Sequence, residues 1–201
     1  MVYRSGGEYL PQHVNRLVDQ VVATTPGVRF RLLGDTSMRH MWPKWWGKIE
    51  LFRGDLWEPG ELVVYLDLDT DVIGDLNTLA RVEFTMLSDF NRPAFAASGV
   101  MAWMGHGPTE VYRAASADPS AFDAYKRFPD KWGDQGFITD HCAERPERFP
   151  SGAVVSYKVD CARSGVIPHE AVAIAYHGPP RPWNAPPRWR AAVEEARRIP
   201  A

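Results

Sequence analysis

With 201 residues, 45% of them hydrophobic and 24% charged, the chain has the composition of an ordinary soluble globular protein, which excludes a wholly disordered polypeptide. A formal net charge of -2 without a long basic run excludes the electrostatic footprint of a nucleic-acid binder. No apolar stretch approaches the roughly 18 residues of a membrane span, and the basic-then-apolar order of a secretion signal is missing, so a cytoplasmic protein is expected. The length suits a single domain, residues 1–201, that buries roughly 70% of its unfolded surface without help from disulfides. Cys142 and Cys161, the two cysteines, have no metal spacing and read as incidental thiols.

A short first strand, Met1-Val2-Tyr3, leads through the turn Ser5-Gly6-Gly7 to a helix from Pro11 to Val22, where Val14, Leu17, Val18, Val21 and Val22 recur at helical spacing. Pro11 suits its first turn. Val28 to Leu33 then reads as a strand, and Pro43 to Phe52 as a short helix with Trp45, Ile49 and Phe52 on one face. Leu62 to Asp71 reads as one buried strand of a parallel sheet, followed by Asp75 as the N-cap of a helix through about Ala80. Ala94 to Met104 reads as a strand interrupted at Ser98-Gly99, residues 105–150 as helices and loops, and Val154 to Tyr157 and Ala171 to Tyr176 as further strands. A proline-rich segment, Pro179 to Pro187, precedes a closing helix marked by Trp189, Ala192, Val193 and Ala196.

The chemistry gathers at apolar runs that end in polar side chains. Asp67, Asp69 and Asp71 close the run that begins at Leu62, at the sheet edge where α/β folds bind ligands. The two-residue period of a strand sends Asp67 and Asp69 to one side, where a hard divalent cation could hold both. The bland alternative is an acidic strand end that serves solubility. His177 also ends an apolar run, and an Asp-Asp-His set suits Mn²⁺ or a similar ion, although a lone His is more often a satisfied side chain. Lys48 and Arg181 are candidates for phosphate oxygens or, taken singly, solvated charges. Trp132-Gly133-Asp134-Gln135 reads either as a turn with a capping Asp or as a pair that orients a sugar.

The segments WWGKIELF, YLDLDTDVIGDL, WGDQ and YHGPPRPW, in that order, resemble nucleotide-sugar glycosyltransferases of the GT-A fold, with glycosyltransferase family 8 the nearest likeness. The resemblance implies an α/β GT-A domain with a central, mostly parallel sheet flanked by helices. It implies Asp67, Asp69 and His177 as ligands of Mn²⁺ or Mg²⁺, and Tyr9, Lys48, Ser98 and Arg181 around the donor. Asp134 and Gln135 resemble the catalytic pair beside the donor sugar. The chain departs from the family pattern at Ala97, before Ser98-Gly99, and at Ser5-Gly6-Gly7-Glu8, which lacks an acidic pair. The activity implied is metal-dependent transfer of a hexose from a nucleoside-diphosphate sugar, such as a UDP-sugar, to a saccharide, lipid or protein acceptor, with retention. The alternatives are a haloacid-dehalogenase-like phosphatase with Asp67 as nucleophile and an inactive binding protein that presents Pro179 to Pro187 to an aromatic groove.

Overall fold

A computed structural model describes residues 1–126 and 133–198; Trp132, expected beside the site, lies outside the described residues. Helix α1 (Pro11–Thr24) starts on Pro11 and buries Val14, Leu17 and Val21, as its periodicity predicts. Residues 28–33 do not form the expected strand. They share a single parallel bridge, Val2 with Leu33, and leave Phe30 and Leu32 exposed. The helix predicted before the acidic run is a 3-10 helix, Lys44–Phe52, with Trp46, Ile49 and Phe52 inside. Its tighter turn carries Trp45 outward, 50% exposed, against the expectation of an inward face.

The run from Leu62 to Asp71 is not one strand. Strand β1 (Leu62–Leu66) ends in a turn closed by the Thr70 N–H on the Asp67 carbonyl at 3.2 Å, and β2 (Thr70–Val72) continues in another sheet. A 3-10 turn at Leu76–Leu79 follows, with the Asp75 carboxylate accepting the Asn77 N–H as its predicted cap. Then come β3 (Thr85–Ser88), β4 (Ala96–Met104), α2 (Thr109–Ala117), α3 (Gly133–His141), β5 (Glu147–Arg148), β6 (Val154–Ser156), β7 (Ala173–Ala175) and α4 (Pro187–Arg198).

The sheets are mixed rather than mostly parallel. In the order β1-β4-β3-β5 only β3 and β5 run parallel, and in β2-β7-β6 only β6 and β7 do. The reason is the connection from β3 to β4, a short loop closed by the Asp89 N–H on the Phe95 carbonyl at 2.9 Å, which leaves no room for a crossover helix. Strand β4 lies between β1 and β3, and Val100, Met101, Ala102 and Trp103 are sealed from solvent.

The turn between β1 and β2 is clamped from behind by α1. The Arg16 guanidinium donates to the carbonyls of Leu68 at 2.9 Å and Thr70 at 2.8 Å and pairs with Asp71. Gln20 donates to Asp71 at 2.8 Å and accepts the Val72 N–H at 2.9 Å. Tyr176 donates its hydroxyl to Asp71 at 2.8 Å and accepts the Trp189 indole N–H at 2.7 Å. The third acid of the motif is thus a buried structural anchor that ties α1, β2, the end of β7 and α4 together. The proline-rich segment is likewise built into the fold, with Pro182 buried and Trp183 stacked on His13 at 3.6 Å, and is not presented as a free polyproline ligand. Cys142 and Cys161 are free thiols, and among the described residues no helix is long and apolar enough to cross a membrane.

Candidate functional site

The carboxyl end of β1 opens into a cavity of about 380 Å³, within the range of small-ligand sites. Asp67, Asp69, Lys48, Ser98, Asp134, Gln135 and His177, scattered over the chain, all line it. Asp67 accepts the Tyr65 hydroxyl at 2.5 Å and lies 3.1 Å from the Lys48 ammonium. Lys48 reaches Asp134 at 3.0 Å and the Ser98 hydroxyl at 3.0 Å, and Ser98 in turn donates to Asp134 at 2.7 Å. Burial works against the ammonium, but Asp134 and Asp67 outweigh it and hold the Lys48 pKa well above the ordinary lysine value. Lys48 is therefore a permanent buried cation that joins the end of β1 to the first turn of α3.

The backbone explains why these groups can meet. Gly99 faces Asp67, where an added Cβ would stand 3.5 Å from Oδ2. Gly133, at a φ of 55°, turns the chain into α3 so that Asp134 enters the cavity from the helix's first turn. Gln135 follows, and its Nε2 is a buried donor with no hydrogen-bond partner among the described residues. Buried amides are ordinarily paired, so this one is the cavity's open polar contact.

On the other side, Arg181 pairs with Asp69 and, through Nε at 2.6 Å and Nη2 at 3.1 Å, with Glu8. Its guanidinium lies 5.3 Å from the Tyr9 ring, and Tyr9 meets Trp183 edge-on at 5.7 Å. Arg181 and Tyr9 are thus gathered beside Asp69. Burial first, and the Asp67 charge second, push the Asp69 carboxyl up to about 6. The native state then keeps this proton between about pH 4 and 6, where the unfolded chain has released it, so the contribution of Asp69 to stability falls as pH rises through that window. Urea titrations from pH 4 to 7 should show this slope and its removal by Asp69→Asn; an unchanged slope in the variant would contradict the assignment.

His177 does not complete a cage with the two aspartates. Its Nε2 lies 2.7 Å from the Ser156 hydroxyl and its ring stacks on Phe90 at 5.5 Å. Among the described residues, no three His, Cys, Asp or Glu side chains are grouped to hold a metal ion. The physical reason is local. Ser156 ends β6 beside β7 and captures the imidazole, while Gly178, at a φ of 89°, turns the chain away past the Lys158 ammonium. Burial and Lys158 lower the His177 pKa, which favours the neutral ring. Asp67 and Asp69 fit a hard cation by donor type and by their crowded charge; His177 lines the same cavity without joining them.

Several participants escape a reading of the sequence. Glu8, Ser156 and the rim residues Asp89, Phe90 and Asn91 lie in polar or mixed stretches without a periodic signal. Tyr65 has one: it stands two residues before Asp67, on the same side by the strand period.

No protein-family model matches the sequence, and no curated protein does. Solved structures share its fold. The glycosyltransferase GlyE of Streptococcus pneumoniae TIGR4, in its apo form, matches 98% of this chain with a TM-score of 0.65 at 12% identity. The match covers 59% of the GlyE chain, so this chain spans a little over half of that relative. The galactosyltransferase LgtC, solved with donor and acceptor sugar analogs, matches 99% of this chain and 96% of its own, with a TM-score of 0.64 at 12% identity. The bifunctional glycosyltransferase WbbM matches 87% of this chain and 42% of its own, with a TM-score of 0.51 at 16% identity. The α/β glycosyltransferase fold expected from the motifs is the fold this chain adopts.

Proposed function

We propose that the chain transfers a hexose from a nucleoside-diphosphate sugar, specifically a UDP-sugar, to a saccharide, lipid or protein acceptor, with retention of anomeric configuration. The observation that carries this reading is the meeting of two aspartates, a buried lysine and an amide unpartnered among the described residues around one cavity at the end of β1, with an arginine paired to one of the aspartates. The LgtC structure, which holds donor and acceptor sugar analogs in the same fold, supports it.

Asp67 and Asp69 would hold a divalent cation, Mn²⁺ or Mg²⁺, which when bound supplies positive charge to a departing diphosphate. The chain's own groups act around it. Arg181, now shared between Glu8 and Asp69, is positioned to trade Glu8 for a phosphate oxygen, a bidentate acceptor of the same geometry. Tyr9 and Trp183 offer ring faces and edges beside that arginine for a nucleoside base. Gln135 Nε2 donates to a sugar hydroxyl. Asp134, held as a carboxylate partner by Lys48 and Ser98, steadies positive charge on the sugar carbon or attacks it.

Gln135→Ala is expected to raise the donor KM up to about tenfold, the worth of one hydrogen bond, while leaving the melting temperature unchanged because Nε2 has no partner among the described residues to lose. A drop in melting temperature with an unaltered KM would assign it a structural role instead. The function itself is tested by thermal shift over a panel of nucleotide sugars with and without Mn²⁺. A saturating donor at 100-fold its Kd adds about 2.7 kcal/mol to stability. The expected result is a shift with one donor class that chelation removes; a panel without any shift overturns the reading.

A further inference from the structure

A second cavity, of about 530 Å³, lies between β1 and residues 28–31, away from the acidic site. Its floor is apolar, with Val21, Leu51, Trp57 and Leu76. Among the described residues, strand β1 is the last strand of its sheet: β4 takes one edge, and the other faces this cavity. An edge left open is ordinarily blunted by a charge, a proline or a bulge. Leu62–Leu66, with the sequence LVVYL, has none of these.

The mouth of the cavity already carries the beginning of a parallel ladder. Tyr3 N–H donates to the Leu33 carbonyl at 2.8 Å, and Leu33 N–H donates to the Met1 carbonyl at 3.0 Å. The Met1 amino group then donates to the Arg31 carbonyl at 3.0 Å, the bond that a peptide N–H would make on the next rung. Desolvation pushes this amino group down to about 5, so at neutral pH it rests as a neutral amine in the place that a peptide N–H would take. The same group senses the Asp67 charge at the carboxyl end of β1. Backward from Met1, the ladder therefore runs along β1 toward Leu62, parallel to it.

We propose that the cavity accepts one further β-strand, an extended apolar segment of about five residues, the length of β1, joined to the Met1 amino group and running parallel between residues 28–31 and β1. With it, residues 28–33 become the strand that their composition predicts, and β1 becomes an interior strand, buried as its apolar run requires. A second copy of the chain is disfavoured because two β1 edges related by a two-fold axis would pair antiparallel, against the direction that Met1 and Leu33 set. The inference does not depend on the substrate.

The test is to fuse Thr-Val-Thr-Val-Val ahead of Met1 in the full chain, with Gly-Ser-Gly-Ser-Gly as the control. The β-branched extension is expected to raise the melting temperature by about 5 °C or more and to slow amide exchange at residues 62–66 at least tenfold, with the control changing neither. Equal behaviour of the two extensions overturns the proposal. So does a chain that is dimeric without the extension and monomeric with it, which would give the cavity to a second copy.

Discussion

Asp67→Asn is expected to lower kcat/KM for glycosyl transfer by about 10²–10³-fold, the usual worth of one electrostatic contributor aimed at developing charge. The substitution keeps the size of the side chain and an oxygen for the Tyr65 hydroxyl, and Lys48 keeps Asp134 and both Ser98 contacts. The fold should therefore survive and the loss should belong to chemistry. The Mn²⁺-dependent thermal shift with donor should fall in parallel, because the charge that would share a cation with Asp69 is gone. A kcat/KM within about threefold of the parent would remove Asp67 from the site, whatever the shift shows.

Asp71→Ala should act in the opposite domain, on stability. Asp71 is 5% exposed, and its carboxylate is shared by Arg16, Gln20 and Tyr176. Removing one partner of a buried charge pair strands the others and costs about 3–5 kcal/mol. That is a large part of the 5–15 kcal/mol that holds a typical domain together. At roughly 2–4 °C per kcal/mol for a chain of this size, the melting temperature should fall by about 10 °C. Equal urea midpoints for variant and parent would show that the network is decorative. The contrast between the two neighbours, one chemical and one structural, separates the roles of acids that the sequence presents as equivalents.

That equivalence shows where sequence reading stops. Asp67, Asp69, Lys48, Ser98 and His177 are legible because each ends or interrupts an apolar run, and a polar group at such a place has few reasons to be there, whereas Asp134 is legible only as an acid beside an amide after Gly133. The helices α1 and α4 are legible because apolar side chains at a 3.6-residue period must face a core. The break between β1 and β2 is not, since a continuous apolar run looks the same whether or not the chain turns inside it. Nor is the bond from His177 to Ser156, which joins two strands by a tertiary contact that no local pattern encodes. The failure at residues 28–33 is of another kind: the strand propensity is present, but among the described residues the pairing stops at the Val2–Leu33 bridge.

The clamp of α1 on the turn between the acids has a bearing on how this chain can tolerate change. Arg16 grips the backbone on both sides of Asp69, at Leu68 and at Thr70, from a helix that does not line the cavity. If the proposed function holds, positions 16 and 20 should therefore be as intolerant in a mutational scan for activity as the positions proposed to touch the donor, and conservative changes there should register first as altered cation preference, before any loss of soluble protein.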